Sequence, residues 1–103
     1  MEQFILAKNG DILDIRTPQG VKIATVNNVY EFRKFYYGYM AVCFITKRYA
    51  DTGKPAELRW GFIDTKGNIV VEPKYVFVSN VNKLGNAFVQ YGQFGGEVIK
   101  VEK

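Results

Sequence analysis

The side chains that could do chemistry are few in this sequence, and none stands beside a group that would activate it. Histidine, the commonest general base and metal ligand, is absent. Ser79 is the only serine, and no base is present to make it a nucleophile. The single cysteine, Cys43, cannot build a cysteine zinc site, and its apolar neighbours indicate a small core residue. The sequence therefore predicts no catalytic residue, no cofactor and no metal site, in a protein that is not an enzyme.

Two other patterns that could carry chemistry have structural interpretations. Asp11 and Asp14 form a pair of carboxylates, but they flank a predicted hairpin and we expect them to face solvent. The glycines Gly92, Gly95 and Gly96 are not followed by a helical pattern. They therefore predict a hairpin turn and not a phosphate-binding loop.

The charge of the chain is mildly basic, with a formal net charge of +4 from 14 Lys and Arg against 10 Asp and Glu. The basic residues are scattered, which favours a solvated surface over a dedicated nucleic-acid patch. The apolar run at residues 4–7 is far too short for a signal peptide, and no stretch approaches the length of a membrane span. We expect no membrane insertion, and a location in the cytoplasm or in a virion or other assembly built there.

The elements that must position these residues are predicted to be short antiparallel strands separated by turns. Asn9-Gly10 predicts a two-residue hairpin, and residues 18–20 predict a second turn. Residues 39–47 predict the longest strand, and we expect it to be central because both of its faces are apolar. The sequence thus predicts one all-β domain over residues 1–103, closed as a small barrel or packed as a sandwich.

One short helix is predicted inside this β domain, over residues 29–37. Asn28 could cap its first turn, with Glu31 placed as in a capping box. Gly38 stands where a left-handed helix stop would lie. Apolar side chains would then share one helical face: Val29, Phe32 and Phe35/Tyr36.

The chain also aligns with itself at a shift of 47 positions. Gly20 then meets Gly67, and Gly38 meets Gly85. Each of these glycines closes a predicted turn or helix end. We interpret the alignment as a degenerate duplication in which two units share one core. The predicted units are a degenerate repeat at about 4–42, a clearer repeat at about 43–89, and a closing hairpin strand at 90–103.

The clearer repeat contains a recognisable pattern. It begins with Trp-Gly-aromatic-Ile-Asp and continues through two spacers to Gly, an apolar strand, Pro and Tyr. The residues in register are Trp60, Gly61, Phe62, Ile63, Asp64, Gly67, Val70, Val71, Pro73 and Tyr75. This stretch resembles the WG-repeat (KWG-type) family of bacterial β-repeats. The resemblance implies a structural or binding role and no general catalytic activity.

Four residues of this pattern have structural reasons of their own. Gly61 would let a neighbouring backbone or ring approach closely. Asp64 suits a turn in which its carboxylate accepts from amides two residues on. Pro73 would end the strand ladder. We interpret Trp60 as an anchor in the core and not as a ligand platform.

Residues 30–39 contain more aromatic rings than a domain of this size can bury. They could cover the edge of the core, but Tyr and Arg are also enriched at interface hot spots. We therefore expect a non-catalytic structural module that docks on a larger protein assembly. Tyr30, Arg33, Lys34 and Tyr37 are the predicted partner-binding residues. A phage capsid or another repeated surface is the candidate assembly, which the chain would decorate as an accessory subunit.

A second class of function stays open. Residues 59–63 and 75–78 resemble the two aromatic strand motifs of cold-shock-type OB-folds, whose exposed rings stack on single-stranded bases. The spacing between the motifs is longer here, and Ser79 stands where a histidine is expected. The alternative is thus a small β-barrel that binds single-stranded nucleic acid, with an affinity that falls steeply with salt.

Overall fold

Ten antiparallel strands build the fold in a computed structural model, which describes residues 4–93 and 95–101. In chain order they are β1 (Ile5–Asn9), β2 (Ile12–Arg16), β3 (Lys22–Val26), β4 (Val29–Tyr36), β5 (Tyr39–Arg48), β6 (Pro55–Asp64), β7 (Ile69–Tyr75), β8 (Phe77–Val78), β9 (Asn86–Gln90) and β10 (Glu97–Lys100). Strands β1–β3 form sheet A, β4–β7 form sheet B, and β8–β10 form sheet C. The all-β prediction is confirmed. Over the described ranges the three sheets are open, so the packed-sheet alternative is observed and the closed barrel is not.

Two hydrophobic clusters join sheet B to the other two sheets, one cluster on each face of sheet B. Strand β5 belongs to both clusters, because its side chains alternate between the two faces of sheet B. Met40, Val42 and Phe44 pack with residues of sheet A, whereas Ala41 packs with residues of sheet C. This confirms the predicted central strand with two apolar faces. Each large side chain that is fully buried in such a cluster stabilises the fold by about 1.5–3 kcal/mol.

The predicted helix over residues 29–37 is wrong, because this segment forms β4, an edge strand of sheet B. Its inward side chains pair with β5 as follows: Val29 with Phe44, Phe32 with Val42, and Phe35 with Met40. The β5 partners are two residues apart and the β4 residues are three apart, because each interval contains a β-bulge. Apolar residues three apart are what one face of a helix would show. The two bulges therefore imitate a helical period.

Two predicted turns are observed, and the first of them lies one residue later than predicted. Asn9 pairs with Ile12, so Gly10 (φ 64) and Asp11 occupy the turn one residue later than predicted. The Asp64 turn is confirmed. One oxygen of its carboxylate accepts from the amides of Lys66 and Asn68, each at 2.9 Å.

The strand ladder does not end at Pro73, as the sequence had suggested. Strand β7 continues to Tyr75, which pairs with Trp60 on β6. Residues 72–74 form an irregularity in between, on an edge strand where the missing amide of proline is tolerated.

Gly61 lies opposite this irregularity and makes it possible. A Cβ added at Gly61 would lie 2.5 Å from the carbonyl oxygen of Val71 and 3.0 Å from the nitrogen of Pro73. Only a residue without a side chain lets the two backbones approach this closely. The predicted close approach at Gly61 is therefore confirmed.

The two predicted units share the central sheet. At the shift of 47 positions, β2–β5 correspond to β6–β9. Two equivalent turns have the same backbone hydrogen bonds. In the first turn, the amide of Thr17 donates to the carbonyl of Val21, and the amide of Gly20 donates to the carbonyl of Thr17. In the second, the amide of Asp64 donates to the carbonyl of Asn68, and the amide of Gly67 donates to the carbonyl of Asp64. Strand β5 spans the predicted boundary at 42/43, so sheet B contains β4 of the first predicted unit together with β6 and β7 of the second. The sheets thus cross the boundary between the units.

Candidate interaction surface

Three of the four predicted partner-binding residues are exposed along β4 and the turn that follows it. Tyr30 lies at the first bulge of β4, and Lys34 lies within the second. Tyr37 follows the strand, at the tip of the β4–β5 hairpin. We call these three residues the β4 strip. They lie on one edge of sheet B, and their side chains are available to a partner.

The backbone of Tyr37 is in a conformation that tyrosine seldom adopts. Tyr36 pairs with Tyr39, so Tyr37 (φ 52) and Gly38 (φ 88) are the two central residues of a tight hairpin turn. Such turns favour Asn or Gly at both positions, because other side chains are strained at positive φ. The side chain of Tyr37 is 57% exposed. A strained backbone therefore presents an aromatic ring to solvent.

Arg33, the fourth predicted residue, is directed across to sheet C instead. Its Nη1 donates to the carbonyl oxygen of Val78 at 2.7 Å. Its guanidinium lies 4.4 Å from the centroid of the Trp60 ring and 5.7 Å from that of Phe77. These contacts join an edge of sheet B to an edge of sheet C. The structure thus brings Tyr30, Lys34 and Tyr37 to the exposed edge and gives Arg33 a role within the fold.

The rings of the OB-like motifs are mostly in the core. Phe62 is fully buried and Tyr75 nearly so. Trp60 packs against the cluster between sheets B and C, and Arg33 covers its ring. Trp60 is half-buried at the margin of the core, and its interpretation as a core anchor stays a prediction. Of these rings only Phe77 is exposed enough to stack on a base.

Sequence reasoning missed one surface, which is the side of sheet C that faces away from sheet B. Ala87 and Val89 point into the core, so Phe88 between them points outward and is 40% exposed. Val98 pairs with Phe88 and is 66% exposed. The alternation of side chains along β9 could have revealed this surface. Phe88 occupies one of the outward positions of the strand, where a polar residue is usual.

The groups that could do chemistry have structural partners where the structure describes them. The Oγ of Ser79 accepts from the amide of Phe88 at 2.9 Å. Burial raises the pKa of the Cys43 thiol, which makes it a poor nucleophile. Asp11 pairs with Arg48 at 2.7 Å.

Asp14 also has charged and polar partners, and hydrogen bonds shift the pKa values of two other surface groups, Glu57 and Tyr91. Asp14 lies within 3.5 Å of Lys22 and accepts a hydrogen bond from Thr25. A hydrogen bond from Thr46 lowers the pKa of the Glu57 carboxyl. A hydrogen bond to Glu97 raises the pKa of the Tyr91 hydroxyl.

Neither a metal site nor a membrane-spanning helix is found among the residues that the structure describes. No group of three or more His, Cys, Asp or Glu side chains could hold a metal ion in residues 4–93 and 95–101. Over the same ranges, no helix has the length and apolar character needed to cross a bilayer.

Comparison with known proteins supports the family resemblance. The family model described as WG containing repeat matches residues 60–93. This stretch begins at the tryptophan of the motif and covers strands β7, β8 and β9. Searches of curated proteins and of solved structures found no match to the chain.

Proposed function

Because residues 60–93 are a WG repeat, we propose that this chain is a non-catalytic module that docks on a larger protein assembly through the β4 strip. The repeat accounts for the fold, since its tryptophan, glycine and aspartate each serve the core, a close backbone approach or a turn. We therefore do not assign ligand binding to these three residues. The surface that the fold does not require is therefore the candidate for binding.

Tyr37 is the observation that supports this proposal most directly. A non-glycine residue at positive φ costs on the order of 1 kcal/mol or more and persists where something else retains it. Asparagine would fit the same turn with less strain. The exposed ring of Tyr37 is a rigid, amphipathic contact of the kind enriched at interface hot spots.

The rest of the β4 strip indicates how a partner would be recognised. The two bulges interrupt the free edge of β4, and bulges hinder the addition of a further strand. We therefore assign recognition to side chains and not to main-chain hydrogen bonds. Tyr30 and Tyr37 would supply apolar contact, and Lys34 would favour an acidic partner surface.

The partner that we propose is a protein surface with repeated copies, for which a phage capsid is one candidate. A small subunit that decorates such a surface in the cytoplasm or in a virion needs only one contact region. The β4 strip at one edge of the molecule provides such a region. Binding of the purified chain to assembled particles tests this choice of partner.

The test compares partner recovery between matched variants of the purified chain. Tyr37→Asn should keep the hairpin and weaken partner binding by about thirty-fold, the effect of losing one hot-spot ring. Tyr30→Ala and Lys34→Ala should weaken it as well. Tyr49→Ala removes an equally exposed ring from the β5–β6 loop and should not change it.

Co-sedimentation with purified particles from the native source is the direct measurement, and pull-down from its extract identifies other assemblies. The proposal fails if the three β4-strip variants, still folded by circular dichroism, recover the partner as well as the Tyr49 variant does.

A further inference from the structure

The outward side of sheet C exposes two phenylalanine rings. We call it the outer C face and define it by its outward residues in β8, β9 and β10: Phe77, Phe88, Gln90, Val98 and Lys100. The alternating residues Val78, Ala87, Val89 and Ile99 face the core instead. Phe77 and Phe88 are 42% and 40% exposed. Two aromatic rings are thus open to solvent on adjacent strands of one face.

The register of sheet C arranges these rings on a diagonal between two cations. Lys100 pairs with Asn86, at one end of β9, and Phe77 pairs with Gln90, at the other. Phe88 lies midway, and Arg33 lies beyond Phe77, 5.7 Å from its ring centroid. One step along this diagonal crosses one strand and advances two residues, which is about 8 Å.

The ring of Phe88 is held in place by the backbone beside it. A Cβ added at Gly96 would lie 2.5 Å from Cζ of Phe88 and 2.9 Å from the carbonyl oxygen of Val89. The absence of a side chain at Gly96 lets the ring lie against β10. Less conformational freedom is then lost when a ligand stacks on it.

Acidic side chains do not oppose an anion on this face. Within β8, β9 and β10 the only carboxylate is Glu97, which lies in the inward phase of β10 and accepts a hydrogen bond from Tyr91. Neither Arg33 nor Lys100 takes part in any of the ion pairs found among the described residues. Arg33 and Lys100 therefore keep their charge unneutralised within the part of the chain that the structure describes.

The size of the face helps to decide between a protein and a smaller occupant. The three strands have two, five and four residues and lie about 4.8 Å apart, which gives a face of roughly 170 Å². A stable protein interface needs about 800 Å² on each partner. The outer C face alone is thus too small for a second copy of this chain, and it suits a ligand of a few flat groups.

We propose that the outer C face binds a short stretch of single-stranded nucleic acid, with bases stacked on Phe77 and Phe88 and phosphates held by Arg33 and Lys100. Stacking on aromatic rings tolerates any base, and the two cations at the ends of the diagonal fit a backbone that runs across the strands. This site is distinct from the β4 strip, so it can be tested separately from protein docking.

The experiment titrates the full chain into a short fluorescein-labelled oligothymidylate and follows anisotropy. The expected dissociation constant is between about 1 and 100 µM at low salt, as for weak nucleic-acid contacts. With two phosphate contacts, the logarithm of the association constant should fall with the logarithm of salt at a slope of about −1.4. Fluorescence of Trp60, which lies under Arg33, should change in the same titration.

Three variants assign the contact to this face. Phe88→Ala should weaken binding by about five-fold to a hundred-fold, the range for loss of one stacked base, and Phe88→Tyr should restore it. Lys100→Gln should reduce the salt slope by about 0.7. Tyr49→Ala, which removes an exposed ring elsewhere, should leave binding unchanged.

Several results would overturn the proposal. One is the lack of binding at about 50 mM salt. A second is an affinity that Phe88→Ala, still folded by thermal melting, lowers no more than Tyr49→Ala does. A third is duplex DNA bound as tightly as the single strand, which would show general electrostatic attraction. Loss of a protein partner in Phe88→Ala without loss of oligonucleotide binding would instead assign the face to protein. None of these results would bear on the proposal that the β4 strip binds a protein, which its own variants test.

Discussion

Replacing Gly61 by alanine should destabilise the fold, because the Cβ has no room. The added carbon would lie 2.5 Å from the carbonyl oxygen of Val71 and 3.0 Å from the nitrogen of Pro73. Ordinary contact begins at 3.4 Å, so β6 and β7 would have to separate by about 0.9 Å. Both neighbours are backbone atoms, which cannot move aside by changing a rotamer.

The magnitude follows from two opposing effects. Overpacking of this kind costs about 1–3 kcal/mol. Alanine also restricts the unfolded chain, which offsets about 0.4–1 kcal/mol of that cost. The net loss should be about 1–2 kcal/mol, and for a domain of this size it corresponds to a fall in Tm of roughly 5–15 °C.

The assay is urea unfolding followed by circular dichroism, with Trp60 fluorescence as a second probe. The matched control is Gly92→Ala, since a Cβ at Gly92 would meet no atom of the described chain within 4 Å and its φ is not positive. The control should unfold within about 0.5 kcal/mol of the parent protein, as surface changes usually do. If the two variants unfold at the same urea concentration, the close approach of β7 does not explain the glycine of the motif.

Four other expectations follow from the structure. Arg33→Ala should lower the free energy of unfolding by about 1.5 kcal/mol, because it removes a charge-assisted hydrogen bond and a cation–ring contact, and a loss near zero would refute this. Tyr37→Asn should raise stability by about 0.5–1 kcal/mol in the same urea assay by relieving strain, and a destabilised variant would contradict the turn geometry. Thr46→Val should raise the pKa of Glu57 in an NMR titration. The contribution of Glu57 to stability is fully present above its unfolded pKa and is lost as pH falls through its lowered folded pKa. Cys43 should react with a thiol reagent far more slowly in the folded protein than in urea, since burial raises its pKa; equal rates would refute its burial.

The fold class could be predicted because turn chemistry and alternation act locally. The carboxylate of Asp64 accepts amides from its own turn, and the two apolar phases of β5 follow from its sequence alone. The three-sheet arrangement could not be predicted, since it depends on which hairpins pair across the boundary between the units. Strand β4 was mistaken for a helix because a bulge adds a residue without leaving a local signal, and two bulges changed a period of two into a period of three.

The candidate surfaces, too, could be predicted only in part from the sequence. Surplus aromatic residues near Tyr37 were visible in the sequence, but the direction of Arg33 was not, because it depends on a contact with Val78, which lies 45 positions away. The outer C face was missed because exposure of Phe88 follows from the phase of β9 against the core. Phase can be assigned only when the neighbours of a strand are known.

Because both predicted units contribute strands to sheet B, the sheet limits which substitutions and deletions the chain can accept. The predicted first unit has Leu13-Asp14 at the positions where the motif has Trp-Gly. Strand β5, which spans the boundary between the predicted units, joins β4 to β6 and β7 through the longest strand pairing among the described residues. Surface substitutions in the first unit should be tolerated as long as its buried residues are kept and β5 still pairs with β6, whereas its deletion would expose a full face and edge of the second. Because sheet B crosses the boundary between the predicted units, we expect the two to unfold together in one cooperative transition.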